Sequence, residues 1–323
     1  MTNAPKIIVL AEQPIHLVEK LSTRIPDAVV KGCDDYAEMS TLVPEFTPDI
    51  VFSITFSASR HEYPRDILKG PEGPNWISVG GSGVDHMKGW DPERLTVTNS
   101  AGVAASMMAE YVFGTALHFT LDIPGLEQDR KARVWPPRLM TPLRGKTCLI
   151  VGLGHTGQEI AAKAKAFGMH VIGTRARPAD MENVDEVHTS DDLPKLWPRA
   201  DLIAVSVPLL PTTRKLIDAR AFAAMKSTAI LVDVSRGGVI DQAALINAMR
   251  SNTIAGAALD VFETEPLPED SPIWSLENVI ISPHCSSVFS GWETASFDMF
   301  CDNVERWRRG APLFNVVDPA RGY

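Results

Sequence analysis

Thr147-Cys-Leu-Ile-Val-Gly-Leu-Gly-His-Thr-Gly157 is the stretch on which the fold turns. Five mostly apolar residues, Thr147 to Val151, run straight into Gly152-x-Gly154-x-x-Gly157, and the residues from 157 to 167 have helical spacing. A glycine motif alone is often only a turn. Between a strand and a helix, each glycine has a task. The first permits a tight turn, the second lets the backbone reach a pyrophosphate, and the third lets helix and strand pack closely. The helix N-terminus adds free N–H groups and a positive dipole. The stretch therefore predicts a dinucleotide-binding strand–turn–helix unit. His155 and Thr156 lie within the turn, and His155 reads equally as a pyrophosphate contact or a solvated loop residue.

The next apolar run, His170-Val-Ile-Gly-Thr174, ends in Arg175-Ala-Arg177-Pro178. A site for NAD would place Asp or Glu there, about 20 residues on, to hold the ribose 2′-hydroxyl. Two guanidinium groups stand there instead, and they suit a 2′-phosphate, with the Thr174 hydroxyl as a further donor. The alternative leaves Arg175 and Arg177 solvated and gives the ribose to Asp180 or Glu182. Both acids lie beyond Pro178, off the strand end. NADP(H) is favoured and NAD(H) stays open.

Three residues farther on each follow a short apolar run. Arg236 follows the run from 230 to 235, Glu265 follows 258 to 262, and His284 follows 280 to 283. Parallel strands bring their C-terminal ends to one edge of a sheet, where ligands bind. A cation, a carboxylate and an imidazole would converge there beside the dinucleotide. Those are the parts needed to move a hydride and a proton onto the carbonyl of a small keto acid.

The rest of the chain agrees with a soluble α/β protein. Its 323 residues allow two cores, and 45% hydrophobic with 22% charged residues is ordinary for a globular chain. A net charge of −9 and a pI near 5.4 argue against a nucleic-acid partner. The N-terminal apolar run is short and lacks a basic flank, and no stretch reaches the length of a membrane span. Cys33, Cys148, Cys285 and Cys301 lie far apart, which predicts reduced thiols, no metal site and a cytoplasmic or other reducing setting.

Strand-like and helix-like segments alternate, which predicts a mainly parallel sheet. Expected strands are 6–10, 49–54, 76–79, 95–99, 147–153, 170–174, 201–208, 229–235, 255–262 and 279–283. Long helices are expected at 103–121 and 290–308. The last ends at Gly310, with Arg306, Arg308 and Arg309 complementing its C-terminus. The stretch 122–145, rich in Pro and Arg, has too little apolar periodicity for a core element. It reads as an exposed arm or dimer element.

Taken together, these segments resemble the D-isomer-specific 2-hydroxyacid dehydrogenase family along nearly the whole chain. The matching motifs are Val151–Gly157, Val207-Pro-Leu-Leu-Pro-Thr-Thr-Arg214, Val234-Ser-Arg-Gly-Gly-Val-Ile-Asp241, Leu259–Pro266, Ser282-Pro-His284 and Gly310-Ala-Pro-Leu-Phe-Asn315. The resemblance implies two doubly wound domains, a Rossmann coenzyme domain (100–287) inserted in a flavodoxin-like substrate domain (1–99 plus 288–323). It also implies a homodimer formed through the coenzyme domain.

In the mechanism it implies, Arg236 binds the substrate carboxylate and carbonyl oxygen. His284 gives its proton to the alkoxide that forms as the nicotinamide hydride arrives, and Glu265 orients the imidazole. Ser82 and Gly83, in Gly80-Gly-Ser-Gly-Val-Asp85, would bind the carboxylate through backbone N–H groups, with Asp85 bracing that loop. Asp260 would bond the nicotinamide carboxamide. Val207, Pro208, Thr213, Val234 and Ser235 would line the cofactor beside Gly152, Gly154, His155, Thr156, Gly157, Thr174, Arg175 and Arg177.

Two positions depart from the family pattern. Met108 stands where many members place a threonine near the cofactor, and Cys285-Ser-Ser287 replaces a small, glycine-containing run. Cys285 is read as a pocket wall, because adjacent residues on extended chain point apart. His16, His61, His118, His170 and His188 show no metal spacing and read as structural. Trp135 and Trp292 read as packing or interface residues, with entry into an active site as the alternative, for Trp135 from a partner subunit.

Reduction of glyoxylate or hydroxypyruvate leads the functional expectations. Glu265 argues against formate oxidation, for which relatives carry an amide there. An added regulatory domain, as phosphoglycerate dehydrogenases often have, is not expected at this length. A bulkier keto acid such as phenylpyruvate, and a corepressor-like protein that senses a dinucleotide, are the alternatives.

Overall fold

Short runs rich in Val, Ile and Leu alternate with helices, so most strands return beside an earlier one through a helical crossover. The computed structural model describes residues 4–54, 62–87 and 89–319. Met1–Val103 with Ser290–Tyr323 form one unit and Ala104–Phe289 the other. The breaks expected at Asn99 and Val288 thus fall a few residues before the edges of these units.

In the first unit, β1 (Lys6–Leu10), β2 (Val29–Cys33), β3 (Ile50–Ser53), β4 (Trp76–Val79) and β5 (Thr96–Asn99) form a sheet in the order β2-β1-β3-β4-β5. Every pairing among them is parallel. This is the flavodoxin-like order. Strand β2 was not expected from the sequence. It is an edge strand with Lys31 and Gly32 in its middle and only Cys33 buried, so it carries little apolar signal.

Apolar residues alternate between the two faces of this sheet. Ile8, Leu10 and Val51 join Tyr36, Met39 and Val43 on one side, while Ile7, Val9 and Phe52 join Leu17, Leu21 and Phe300 on the other. Each such side chain contributes about 1.5–3 kcal/mol when fully buried. The last helix, Trp292–Arg308, packs Phe297 and Phe300 on Phe52 at ring separations of 4.9 Å each. Trp292 is a partly buried packing residue of this same core.

The second unit contains β6 (Thr147–Val151), β7 (His170–Thr174), β8 (Glu186–His188), β9 (Leu202–Val205), β10 (Ile230–Asp233), β11 (Gly256–Leu259) and β12 (Val279–Ile281). Their order, β12-β11-β10-β9-β6-β7-β8, again all parallel, reverses direction between β6 and β9. That reversal is the Rossmann switch point, where ligands bind outside the strand ends. The helices Ala105–Thr120 and His155–Ala166 pack together on one face. Trp197, Phe222 and Leu245 fill the other.

The segment 122–145 differs from its expectation. Ile123–Ala132 is a helix, capped by the Asp122 carboxylate accepting from Gly125 N at 3.2 Å, with Pro124 in its first turn. Only Gly125 is buried along it, so no apolar stripe announces it. The chain beyond it does have the exposed character expected, with Trp135 100% and Leu139 99% exposed. Arg138 ties that stretch back to Asp122 and Asp129. Among the described residues, no helix is long and apolar enough to cross a membrane.

Candidate active site

The turn after β6 has the conformation its glycines predict. Gly152 has φ +105°, a left-handed backbone that favours glycine, and a Cβ there would meet Val207 Cγ1 at 2.7 Å. A Cβ on Gly157 would meet Gly152 O at 2.0 Å, so strand and helix touch through the glycine backbones. At Gly154 a Cβ would meet nothing within 4 Å. No side chain caps the helix His155–Ala166, which begins beside that open space. Uncapped N–H groups facing free room suit a pyrophosphate, so the residues present fit a dinucleotide. Ser206, which the sequence did not single out, braces the turn by donating from Oγ to Gly152 O at 2.9 Å.

Val207 thus lies against the turn, and Pro208 stands beside it, half-buried. Thr213 is engaged within its own loop, donating to Pro208 O at 2.6 Å and accepting from Leu210 N at 2.8 Å. Thr156 Oγ1 lies 3.6 Å from Met108 Sδ, so the methionine that departs from the family pattern covers the first helical turn.

Thr174 is buried at the tip of β7, and its carbonyl accepts from Leu153 N. Arg175 is half-buried, with Nη1 3.2 Å from Met181 Sδ, while Arg177 is exposed. Asp180 and Glu182 are exposed on the loop beyond. The two arginines therefore follow the second strand of the Rossmann unit immediately, where an adenosine ribose is held.

Arg236, Glu265 and His284 follow β10, β11 and β12, three neighbouring strands, on the edge that also carries the glycine turn. His284 Nδ1 lies 2.7 Å from Glu265 Oε2, and Glu265 Oε1 accepts from Phe262 N at 2.9 Å. With Nδ1 directed at a carboxylate, Nε2 is the nitrogen left to exchange a proton. Arg236 is half-buried, and its Nη1 donates to Ser235 O at 2.8 Å. Val234 and Ser235 are buried just before it. His284 itself has φ +51°, a left-handed conformation uncommon for a residue with a side chain.

Two buried carboxylates lie beneath this edge. Asp260, 1% exposed, accepts from Ser282 Oγ (2.5 Å) and Cys285 N (2.8 Å) on Oδ1 and from Ser286 N (3.0 Å) on Oδ2. Asp233 accepts from Ser235 N at 2.9 Å and Ser235 Oγ at 2.5 Å, both on Oδ1. Burial pushes its carboxyl up to about 7 against the bonds from Ser235, with the Asp260 charge adding to the rise. A shallow, partly open hollow borders Asp233, Gly237, Gly238 and Glu263. Burial, aided by Asp260, also raises the Cys285 thiol, which disfavours the thiolate a nucleophile would need.

In the first unit, the loop carrying Ser82 and Gly83 follows β4, and Ser82 is exposed. Its conformation is braced by Asn99, whose Nδ2 donates to Ser82 O at 2.7 Å. Asn315 braces Asn99 in turn, donating to its carbonyl at 3.3 Å and to Ala101 O at 2.8 Å. Asn99 was missed in the sequence because its role is a tertiary contact. Asp85 begins a short 3-10 turn after this loop, and His86 is half-buried against the Tyr63 ring at 4.5 Å.

The other histidines have ordinary neighbours. His16 faces Glu293, His170 and His188 both face Glu186, and His118 stacks edge-on with Phe119. His61 lies outside the described residues. Among those described, no group of His, Cys, Asp and Glu is arranged to hold a metal ion.

Comparison with known proteins adds a family to this geometry. Residues 113–286 match the sequence model of the D-isomer specific 2-hydroxyacid dehydrogenase NAD binding domain. A D-3-phosphoglycerate dehydrogenase from Methanocaldococcus jannaschii is 36% identical over 262 residues, 79% of this chain. The match spans about half, 49%, of that longer protein. A glyoxylate reductase from Korarchaeum cryptofilum is 36% identical over 233 residues, 69% of each chain. A crystal structure of a D-isomer specific 2-hydroxyacid dehydrogenase from Xanthobacter autotrophicus Py2, in complex with NADPH and MES, superimposes with a TM-score of 0.83. It shares 28% identity and covers 99% of this chain and 100% of its own.

Proposed function

Since this chain belongs to the D-isomer specific 2-hydroxyacid dehydrogenase family, we propose that it reduces a small 2-keto acid, glyoxylate or hydroxypyruvate, to the D-2-hydroxy acid with NADPH. The observation that carries this reading is the His284 Nδ1 to Glu265 Oε2 contact of 2.7 Å, on the sheet edge that bears Arg236 and the glycine turn. When bound, the reduced dinucleotide supplies the hydride.

The chain's own residues do the rest. Arg236 holds the substrate carboxylate and polarises its carbonyl, a double contact that a planar guanidinium suits better than an ammonium. The N–H groups of Ser82 and Gly83 take the carboxylate as well. His284, held through Nδ1 by Glu265, donates the proton on Nε2 to the carbonyl oxygen as it becomes an alkoxide. One proton leaves the imidazolium and one hydroxyl forms. Gly152, Gly154, His155, Thr156 and Gly157 receive the pyrophosphate, and Val207, Pro208, Val234 and Ser235 line the dinucleotide. Thr213 acts by shaping the loop after Pro208. Asp260, with one acceptor position left on Oδ2, takes the carboxamide.

NADPH preference rests on Thr174, Arg175 and Arg177 at the end of β7. The NADPH in the Xanthobacter relative supports it, and the glyoxylate reductase name of the Korarchaeum relative supports the substrate. We place the second copy of a homodimer against the exposed Trp135 and Leu139 of the coenzyme unit, and the enzyme in a reducing cytoplasm, which its free cysteines fit.

Initial rates with NADPH and NADH against glyoxylate, hydroxypyruvate, pyruvate and phenylpyruvate test the proposal. NADPH should be preferred, and Arg175→Ala should cut that preference by about tenfold, the value of one charge-assisted phosphate contact. Equal efficiency with NADH in the unaltered enzyme would contradict the cofactor assignment. A best rate with phenylpyruvate would contradict the small substrate.

A further inference from the structure

Tyr111 and Ser282 have no part in the chemistry above, yet they connect the loop bearing His284 to the longest helix of its unit. Tyr111 stands on the helix Ala105–Thr120, and its Oη lies 2.7 Å from Ser282 Oγ. Ser282 Oγ lies 2.5 Å from Asp260 Oδ1. The direction of these two bonds follows from proton counting. A carboxylate only accepts, so the single Ser282 proton goes to Asp260, and Ser282 must then accept from Tyr111. Burial pushes the Tyr111 phenol up to about 12, so its proton stays in place at working pH.

Asp260 in turn fastens the loop at several points. Its carboxylate accepts from Cys285 N and Ser286 N, and its backbone carbonyl accepts from His284 N at 2.9 Å. These bonds surround the residue with φ +51°, a conformation that persists only where its surroundings impose it. The bond to Glu265 cannot impose it alone. It fixes the imidazole, and both partners are well exposed, at 41% and 35% of their side chains. The backbone is held from beneath.

We propose that Tyr111 and Ser282 are positioning residues: the donor chain Tyr111 Oη–H to Ser282 Oγ–H to Asp260 holds the 282–286 backbone, and through it the proton-donating nitrogen of His284. This rests on His284 acting as the acid. The donor chain ends on a buried carboxylate, where each bond polarises the next, so losing the outermost hydroxyl weakens every link.

Tyr111→Phe, Ser282→Ala and Ser282→Thr test it, with glyoxylate and NADPH as probes. The first two should lower kcat about tenfold, as a small misplacement of a reacting group does. KM for glyoxylate should stay within about twofold of the unaltered value. The deuterium isotope effect with NADPH labelled at the transferred position should rise, because chemistry becomes slower relative to release. Ser282→Thr, which keeps the hydroxyl, should restore kcat. Amide hydrogen exchange at Cys285 and Ser286, measured without substrate, should quicken about tenfold in Tyr111→Phe and Ser282→Ala.

Unchanged exchange and unchanged isotope effects in both would overturn the proposal, as would a Ser282→Thr variant as impaired as Ser282→Ala. His284→Ala separates the two layers. If it turns over normally, the acid assignment fails and this inference with it. If it is inactive while Tyr111→Phe and Ser282→Ala match the unaltered enzyme, only the positioning role fails.

Discussion

Each unit buries a polar cluster beside its sheet, and the two are built to opposite standards. In the first unit Ser53, Tyr63 and His86 are gathered close, with the Tyr63 ring edge-on to His86 at 4.5 Å. Among the described residues His86 Nε2 nevertheless has no hydrogen-bond partner, and Ser53 Oγ and Tyr63 Oη have at best a poorly formed bond to each other. In the second unit Asp260 accepts three hydrogen bonds through its carboxylate, and the neighbouring Ser282 and Tyr111 hydroxyls are paired. A buried polar group without a partner costs about 1–3 kcal/mol, whereas a satisfied one contributes about 1 kcal/mol net. The closed cluster therefore spends its bonds on geometry, and that geometry is the left-handed backbone of His284. The open cluster carries a penalty that the poorly formed contact of Tyr63 with Ser53 offsets only in part.

The largest effect expected is on the sheet edge that also carries the closed cluster. Arg236→Ala should lower kcat/KM for glyoxylate by about 10²–10³, the size lost with an oriented charge-stabilising donor. NADPH affinity should change little if, as proposed, the arginine binds the substrate. Titration of NADPH fluorescence beside the kinetics checks both halves, and a comparable loss of NADPH binding would move Arg236 to the cofactor.

Stability comes next. Asp260→Ala takes the acceptor from the buried Ser286 N and from the part-buried Ser282 Oγ and Cys285 N, and should cost about 1–3 kcal/mol in urea unfolding. A cost under 1 kcal/mol would show that the loop does not depend on this carboxylate and would dissolve the contrast between the clusters.

The pH dependence sharpens the comparison, since the clusters respond in opposite directions. Asp233, beside Asp260, has its folded value raised to about 7 by burial. Between its ordinary value and 7 the folded chain holds a proton that the unfolded chain has lost. Its contribution is complete in acid and is lost as pH rises through 7. His86 is shifted down, chiefly by burial with Arg65 adding to it and Asp85 opposing, so its neutral form is favoured. Its contribution is present above its ordinary value and is lost as pH falls through the lowered one. Thermal unfolding from pH 5 to 8 should lose its fall between pH 5 and about 7 in Asp233→Asn, and lose the opposite, acid-side fall below the ordinary histidine value in His86→Phe. Parallel curves for variant and unaltered protein would contradict the assignments.

The smallest effect separates the clusters most simply. Tyr63→Phe removes a poorly paired buried hydroxyl and should be neutral or stabilising by up to about 1 kcal/mol, whereas Tyr111→Phe removes a well-paired one and should destabilise by about 1 kcal/mol. Equal losses in urea unfolding would place a partner on Tyr63 in solution.

Much of this architecture was legible in the chain. The glycine turn and the strand before it are local, and Thr147–Val151 and His170–Thr174 carry enough apolar residues to announce themselves. The common edge of Arg236, Glu265 and His284 could be read because each follows such a strand in a parallel sheet. The edge strands Val29–Cys33 and Glu186–His188 were not expected, since half-solvated strands lack a buried run. The helix Ile123–Ala132 was missed for want of an apolar stripe. Asn99, Ser206, Tyr111 and Ser282 were invisible as site residues for another reason. An ordinary Asn, Ser or Tyr becomes a brace only through a partner distant in sequence, as Tyr111 does 171 residues from Ser282.

One measurement tests the proposed reductase most directly: NADPH oxidation with glyoxylate and hydroxypyruvate by the unaltered protein and by His284→Ala. The result expected is steady turnover in the first and a loss of about 10²–10⁴ in the second, the contribution of a positioned general acid, with NADPH binding retained. Equal turnover by both proteins, or none by the unaltered protein on either keto acid despite bound NADPH, would contradict it.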